Sequence, residues 1–139
     1  MAYFEDLSRY SFLASKAEEN AINAGWLDNK HSFLRGDVST KVIEAVFALC
    51  LTPVNRTRGH HTCPFCMITR LGLVAEENGK RIILGSAEIR LRGQGRTYAS
   101  PNLIYHYMKV HKYLPPEEFI AALMAERQGA TAGRAVEQL

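Results

Sequence analysis

Apolar residues recur at helical spacing between Val38 and Leu51, where Val42, Ile43, Val46, Phe47, Cys50 and Leu51 share one face. Ser39 or Thr40 can cap the start and Pro53 stops the pattern, so the spacing predicts a helix over Ser39–Leu51. The period then changes. Met67–Ala75 is apolar-rich, Glu77-Asn78-Gly79-Lys80 is a strong hairpin turn, and Arg81–Leu84 follows as its second strand. Gly85–Arg92 alternates cleanly, with Ala87, Ile89 and Leu91 on one face and Glu88, Arg90 and Arg92 expected on a solvated one. Gly93-Gln94-Gly95 turns the chain again before a short strand at Thr97–Ala99. Ser100-Pro101 supplies an N-cap and a first-turn proline for a helix over Pro101–Lys112, and Pro116–Glu126 carries Phe119, Ile120, Leu123 and Met124 on one face.

The first 36 residues are less regular. Ala14–Asn20 fits a helical turn or two, Ala21–Asp28 a strand or buried extended segment with Trp26 in the core, and His31–Gly36 a loop. No internal repeat or second domain is visible. The pattern predicts one α+β domain over residues 1–127, a small antiparallel sheet flanked by about three helices. Residues 128–139, rich in Gly and Ala, are expected to be a disordered tail.

Composition narrows the class. The chain has 139 residues, 47% hydrophobic and 22% charged, which excludes global disorder. A net charge of +3 does not by itself demand a nucleic-acid partner. The charge is uneven, because Val54–Arg96 holds eight basic residues against three acids. No apolar run approaches the roughly 18 residues of a membrane span, and charges at Glu5, Asp6, Arg9 and Lys16 interrupt any signal peptide. Three cysteines make an odd count for a disulfide framework, and Cys50 reads as a buried free thiol. The expected compartment is the cytoplasm.

The candidate chemistry lies in Cys63-Pro64-Phe65-Cys66, answered by His106 and His111 on the helix after Ser100. Two thiolates and two imidazoles satisfy a tetrahedral Zn²⁺, and closed structural sites carry C-x2-4-C with H-x3-5-H. One structural zinc ion is therefore expected to pin the fold. Cys63 and Cys66 rank first as ligands, then His106 and His111. His61, two residues before Cys63, is the alternate. His60 and His31 read as solvated loop residues. A catalytic zinc with an open position, or a redox dithiol, uses the same cysteines and ranks below the structural site. Arg56, Arg58 and Arg90 are candidate contacts for a partner or for phosphate, each with a solvated or structural reading beside it.

The chain also resembles a family of small bacterial proteins with no assigned activity. The resemblance rests on Tyr3-Phe4-Glu5-Asp6-Leu7, Gly25-Trp26-Leu27-Asp28, His61-Thr62-Cys63-Pro64-Phe65-Cys66, Pro101-Asn102-Leu103-Ile104-Tyr105-His106-Tyr107 and His111, over roughly residues 3–124. It implies a shared fold and metal site and no activity. The helix with His106 and His111 is similar to the second half of a C2H2 finger, although about 40 residues separate it from the cysteines, against about twelve in a nucleic-acid-binding finger. The functional expectation is a non-enzymatic, zinc-stabilised protein-interaction module of regulatory or immunity type. Its alternatives are a nucleic-acid-binding zinc module using the basic 54–96 segment, and a zinc hydrolase or thiol redox enzyme.

Overall fold

Ser39 caps the first long helix. In the computed structural model, its Oγ accepts the Val42 N–H at 3.3 Å and α1 runs Thr40–Cys50, burying Val42, Ala45, Val46, Phe47 and Cys50. The structure describes residues 3–11, 20–66, 73–93 and 95–126. Before α1 comes β1 (Ala21–Asn23); after it come β2 (Val74–Glu77), β3 (Lys80–Ile83), β4 (Glu88–Gly93), β5 (Arg96–Pro101) and α2 (Ile104–His111). A third helix, α3, covers 117–126. The architecture is α+β, as the alternating periods require. The expected tail at 128–139, the strand start at Met67 and the helical turns before Asn20 lie outside the described residues or largely so.

The strands form two small sheets, β1-β5-β4 and the hairpin β2-β3. Asn78 and Gly79 both have positive φ, 52° and 79°, which is the backbone an Asn-Gly two-residue turn supplies. β4 and β5 are antiparallel, but β1 joins β5 in parallel, Ala21 opposite Thr97 and Asn23 opposite Ala99. Alternation marks which face of a strand is apolar and says nothing of pairing direction, so this strand was expected in an antiparallel sheet.

Two boundaries shift for one reason. Ser100 and Pro101 end β5, opposite Ile89 and Glu88, instead of opening the helix. Pairing with β4 holds them extended, and the missing N–H of proline is tolerated at a strand end. The helix therefore starts at Ile104. It closes at Lys112 in the left-handed conformation (φ 59°), and the Tyr113 N–H returns to the Tyr107 carbonyl at 3.1 Å.

Each face of the β1-β5-β4 sheet is covered. Ile89, Leu91 and Tyr98 point into the main core with α1, α2 and α3 residues such as Val46, Ile104, Tyr107 and Phe119. The opposite face carries Ala21 and Ala99, covered by Phe4, Tyr10 and Trp26. Residues 3–11 form an arm along β1, bonded through Leu7 N–H to Asn23 O, Asn23 N–H to Ser8 O and Tyr10 N–H to Ala21 O, at 2.7–2.9 Å.

This arm overturns the solvated-face expectation for Glu88 and Arg90, while Arg92 is exposed as expected. Glu88 is only 4% exposed, and its Oε1 accepts from Tyr10 Oη at 2.7 Å and Asn55 Nδ2 at 3.4 Å, and pairs with Arg90 Nη2 at 2.9 Å. The Arg90 guanidinium also lies over the Tyr10 ring, 4.7 Å from its centroid. The alternation was real; the second apolar cover came from a segment distant in sequence.

Candidate metal centre

The loop 54–62 is polar in sequence and fixed in place by backbone pairing. Val54 and Glu88 exchange hydrogen bonds at 2.8 and 2.9 Å, Thr57 N–H reaches Ser86 O, and His61 N–H reaches Gly85 O, both at 2.7 Å. Gly85 has φ 102°, and a Cβ there would overlap the His61 carbonyl, so this approach requires glycine. The loop thus lies along the β3–β4 connection and delivers Cys63 to the end of α2.

At that point four donors converge. Cys63 Sγ lies 3.3 Å from His111 Nε2, and Cys66 Sγ lies 3.3 Å from His106 Nε2 and 3.6 Å from His111 Nε2. All four donor atoms fall within 4.8 Å of one another. A tetrahedron with metal–sulfur bonds of about 2.3 Å and metal–nitrogen bonds of about 2.0–2.1 Å has edges of about 3.4–3.8 Å. The three short cysteine–histidine separations match that size to within a few tenths of an ångström, inside a group that spans up to 4.8 Å. The Phe65 N–H points at Cys63 Sγ from 3.4 Å, the arrangement by which a C-x2-C turn supports thiolate charge.

The five-residue offset of the histidines is about 140° on an ideal helix. Both imidazoles overcome it by using Nε2, the ring nitrogen farthest from the backbone, and His111 is the last residue of α2. Their ring centroids are 5.0 Å apart. An aromatic sheath surrounds the turn. Phe65 packs on Phe33 (5.1 Å), His111 (5.3 Å) and Tyr107 (5.7 Å). Phe33 was not singled out in sequence, because its role depends on the 33–36 loop meeting the end of α2 through the Arg35–Tyr113 bridge.

Electrostatics suit a cation. Burial, with the neighbouring His111 second, pushes His106 down to about 4, so it is a neutral imidazole at pH 7. Burial and then the Arg35 charge lower His111 in the same direction. Burial raises the Cys63 thiol to about 11. Without a positive partner that thiol keeps its proton; a bound metal ion reverses this and removes it outright. Two neutral imidazoles with two cysteine sulfurs, one of them buried, form a donor set that could hold a metal ion.

The other expected positions fall elsewhere. His61 is exposed and outside the four-residue group, its backbone committed to Gly85. His60 is exposed. His31 is half-exposed, bonded through Nδ1 to Asp28 at 2.8 Å and stacked on Tyr3 at 3.8 Å. Arg56 and Arg58 are exposed on the loop, whereas Arg90 is spent on Glu88 inside the fold. Cys50 is a buried free thiol, as its apolar run implies. Among the described residues no helix is long and apolar enough to cross a membrane.

Residues 2–124 match the family described as Domain of unknown function (DUF7919), and the chain belongs to that family. No curated protein and no solved structure matches it.

Proposed function

We propose that the chain is a non-enzymatic interaction module whose fold is pinned by one structural zinc ion held by Cys63, Cys66, His106 and His111. The observation that carries this reading is the convergence of those four donor atoms within 4.8 Å, drawn from two segments about 40 residues apart in sequence. Four protein donors fill all four positions of a tetrahedral ion, which leaves no place for substrate and favours a structural over a hydrolytic metal. A redox-enzyme reading is disfavoured by the Cys63 thiol, because a catalytic dithiol needs a lowered pKa and burial raises this one. The same ion would join residues 1–127 into one domain, since it ties α2 to the loop before β2.

With the metal site closed, the working surface is the exterior, and a protein partner in a regulatory or immunity-type contact in the cytoplasm is the reading we favour. Nucleic acid is less favoured. Arg90 pairs with Glu88 and Arg96 with Glu118 (3.2 Å), which withdraws two of the basic residues of the 54–96 segment from phosphate binding.

Metal analysis of the purified full chain tests the centre: one zinc per chain is expected, and cobalt substitution should give the absorption of a tetrahedral S₂N₂ site. A metal content near zero would end this reading. Titration with generic DNA and RNA at two salt concentrations tests the partner class. Weak binding is expected, whereas tight binding with a steep salt slope would move the function to nucleic acid.

A further inference from the structure

We infer that Cys66 is a modification site for hydroperoxides, and that its oxidation to a Cys63–Cys66 disulfide releases the metal and unties α2 from the cysteine turn. This rests on the zinc reading above and adds a regulatory chemistry to that site. The three free thiols of the chain differ in what surrounds them. Cys50 is 1% exposed in the core, and its thiol donates to the Asn102 carbonyl at 4.0 Å. Cys63 is 5% exposed, and its sulfur accepts the Phe65 N–H beside the aromatic sheath. Cys66 is the only one of the three that is not buried. Its sulfur faces two imidazoles, His106 Nε2 at 3.3 Å and His111 Nε2 at 3.6 Å.

Burial blocks approach to Cys63 and Cys50, so attack should fall first on Cys66. Its sulfur takes an oxygen from the hydroperoxide as the O–O bond breaks, and the leaving hydroxide or alkoxide picks up a proton. The Cys66 sulfenic acid that forms is within reach of Cys63 Sγ, since both sulfurs belong to a group spanning 4.8 Å. The Cys63 thiolate attacks the Cys66 sulfur, the S–S bond forms, the S–O bond breaks and the hydroxide leaves as water after taking a second proton. Two thiolates, one hydrogen peroxide and two protons become one disulfide and two waters. The donor set falls from four to two imidazoles, too few to retain the ion, and α2 keeps no covalent or metal link to the turn.

The test uses the full chain, with its zinc content measured first. Hydrogen peroxide is added stepwise while a chromophoric chelator reads released zinc. Dimedone traps sulfenic acid, and mass spectrometry locates the adducts and the disulfide. One zinc should be lost for each disulfide formed, with loss of the mass of two hydrogens, and dimedone should mark Cys66 at least about tenfold over Cys63. Dithiothreitol with added zinc should restore the starting state, and Cys50→Ala should change none of this. A chain that carries zinc and keeps it through excess peroxide overturns the inference and leaves the metal reading standing, as does zinc loss with adducts mainly on Cys63. A chain that carries no metal overturns the metal reading and the release step with it.

Discussion

Tyr113 Oη donates to Asp6 Oδ2 at 2.8 Å, joining the residue just past α2 to the N-terminal arm across 107 positions of sequence. The other oxygen of Asp6 accepts the Gly25 N–H at 3.0 Å, so one half-buried carboxylate joins the arm, the β1 exit and the end of the histidine helix. Tyr113 is fully buried and lies two residues after His111. Tyr113→Phe should destabilise the protein by about 1–3 kcal/mol, because it leaves a desolvated carboxylate oxygen without its donor. The change should be local as well as global. Trp26, the only tryptophan, packs against Phe4 and Tyr10 of the arm, so its fluorescence should shift towards that of exposed indole in urea earlier than helix content falls. Coincident transitions by both probes would show that the arm is no separate unit.

Substitution of each histidine should sort ligands from bystanders. His106→Ala and His111→Ala should each weaken zinc binding by more than about 100-fold, beyond the 10–100-fold typical of outer-shell changes, and lower the melting point. His60→Ala and His61→Ala should leave affinity nearly unchanged, since neither imidazole is part of the four-donor group. Competition with a zinc-binding dye checks all four. A His61 effect as large as that of a cysteine substitution would place it in the first coordination shell and one helix histidine outside it.

The grouping of Cys63, Cys66, His106 and His111 was legible in sequence because a metal site needs particular residue types at particular spacings, and a helix and a knuckle preserve both. Their sheath was not: Phe33 and Phe65 look like any other apolar residues until the loop before α1 meets the end of α2. The helical period fixed α1 to within a residue of each end, since cap and core face agree there. At Ser100-Pro101 a good cap signal lost to a longer β-ladder, which single-strand periodicity does not reveal. Glu88 and Arg90 were misplaced on a solvated face because the cover, Tyr10, comes from an arm 78 residues away.

That buried pair yields its own prediction. Glu88→Gln keeps shape but removes the charge opposite Arg90, whose side chain is only 7% exposed. Breaking a buried pair in this way typically costs about 3–5 kcal/mol, whereas replacing both partners with apolar residues of similar volume is often neutral or better. Glu88→Gln should therefore be more damaging in urea denaturation than the double variant Glu88→Leu/Arg90→Met. Metal content should be unchanged in both where they fold. If the double variant is the less stable, the pair contributes net stability through its bonds to Tyr10 and Asn55.

Acid should act on the metal-free and zinc-bound forms through different groups. In the metal-free fold His106 titrates at about 4 against 6.5 for the free side chain, so between those values the unfolded chain binds more protons than the folded one. Stability then rises with pH across this window, which means that it falls as pH drops from about 6.5 towards 4 and levels off below. His111, lowered in the same direction, adds to the fall. With zinc bound, the thiols dominate. Cys63 sits at about 11 without metal, so at neutral pH binding must expel its proton, and affinity should climb about tenfold per pH unit for each thiol proton released. Calorimetric zinc titrations in buffers of different ionisation enthalpy count those protons directly. A count of at least one at pH 7 is expected from the Cys63 thiol; a count near zero would mean that Cys63 does not bind the metal as a thiolate.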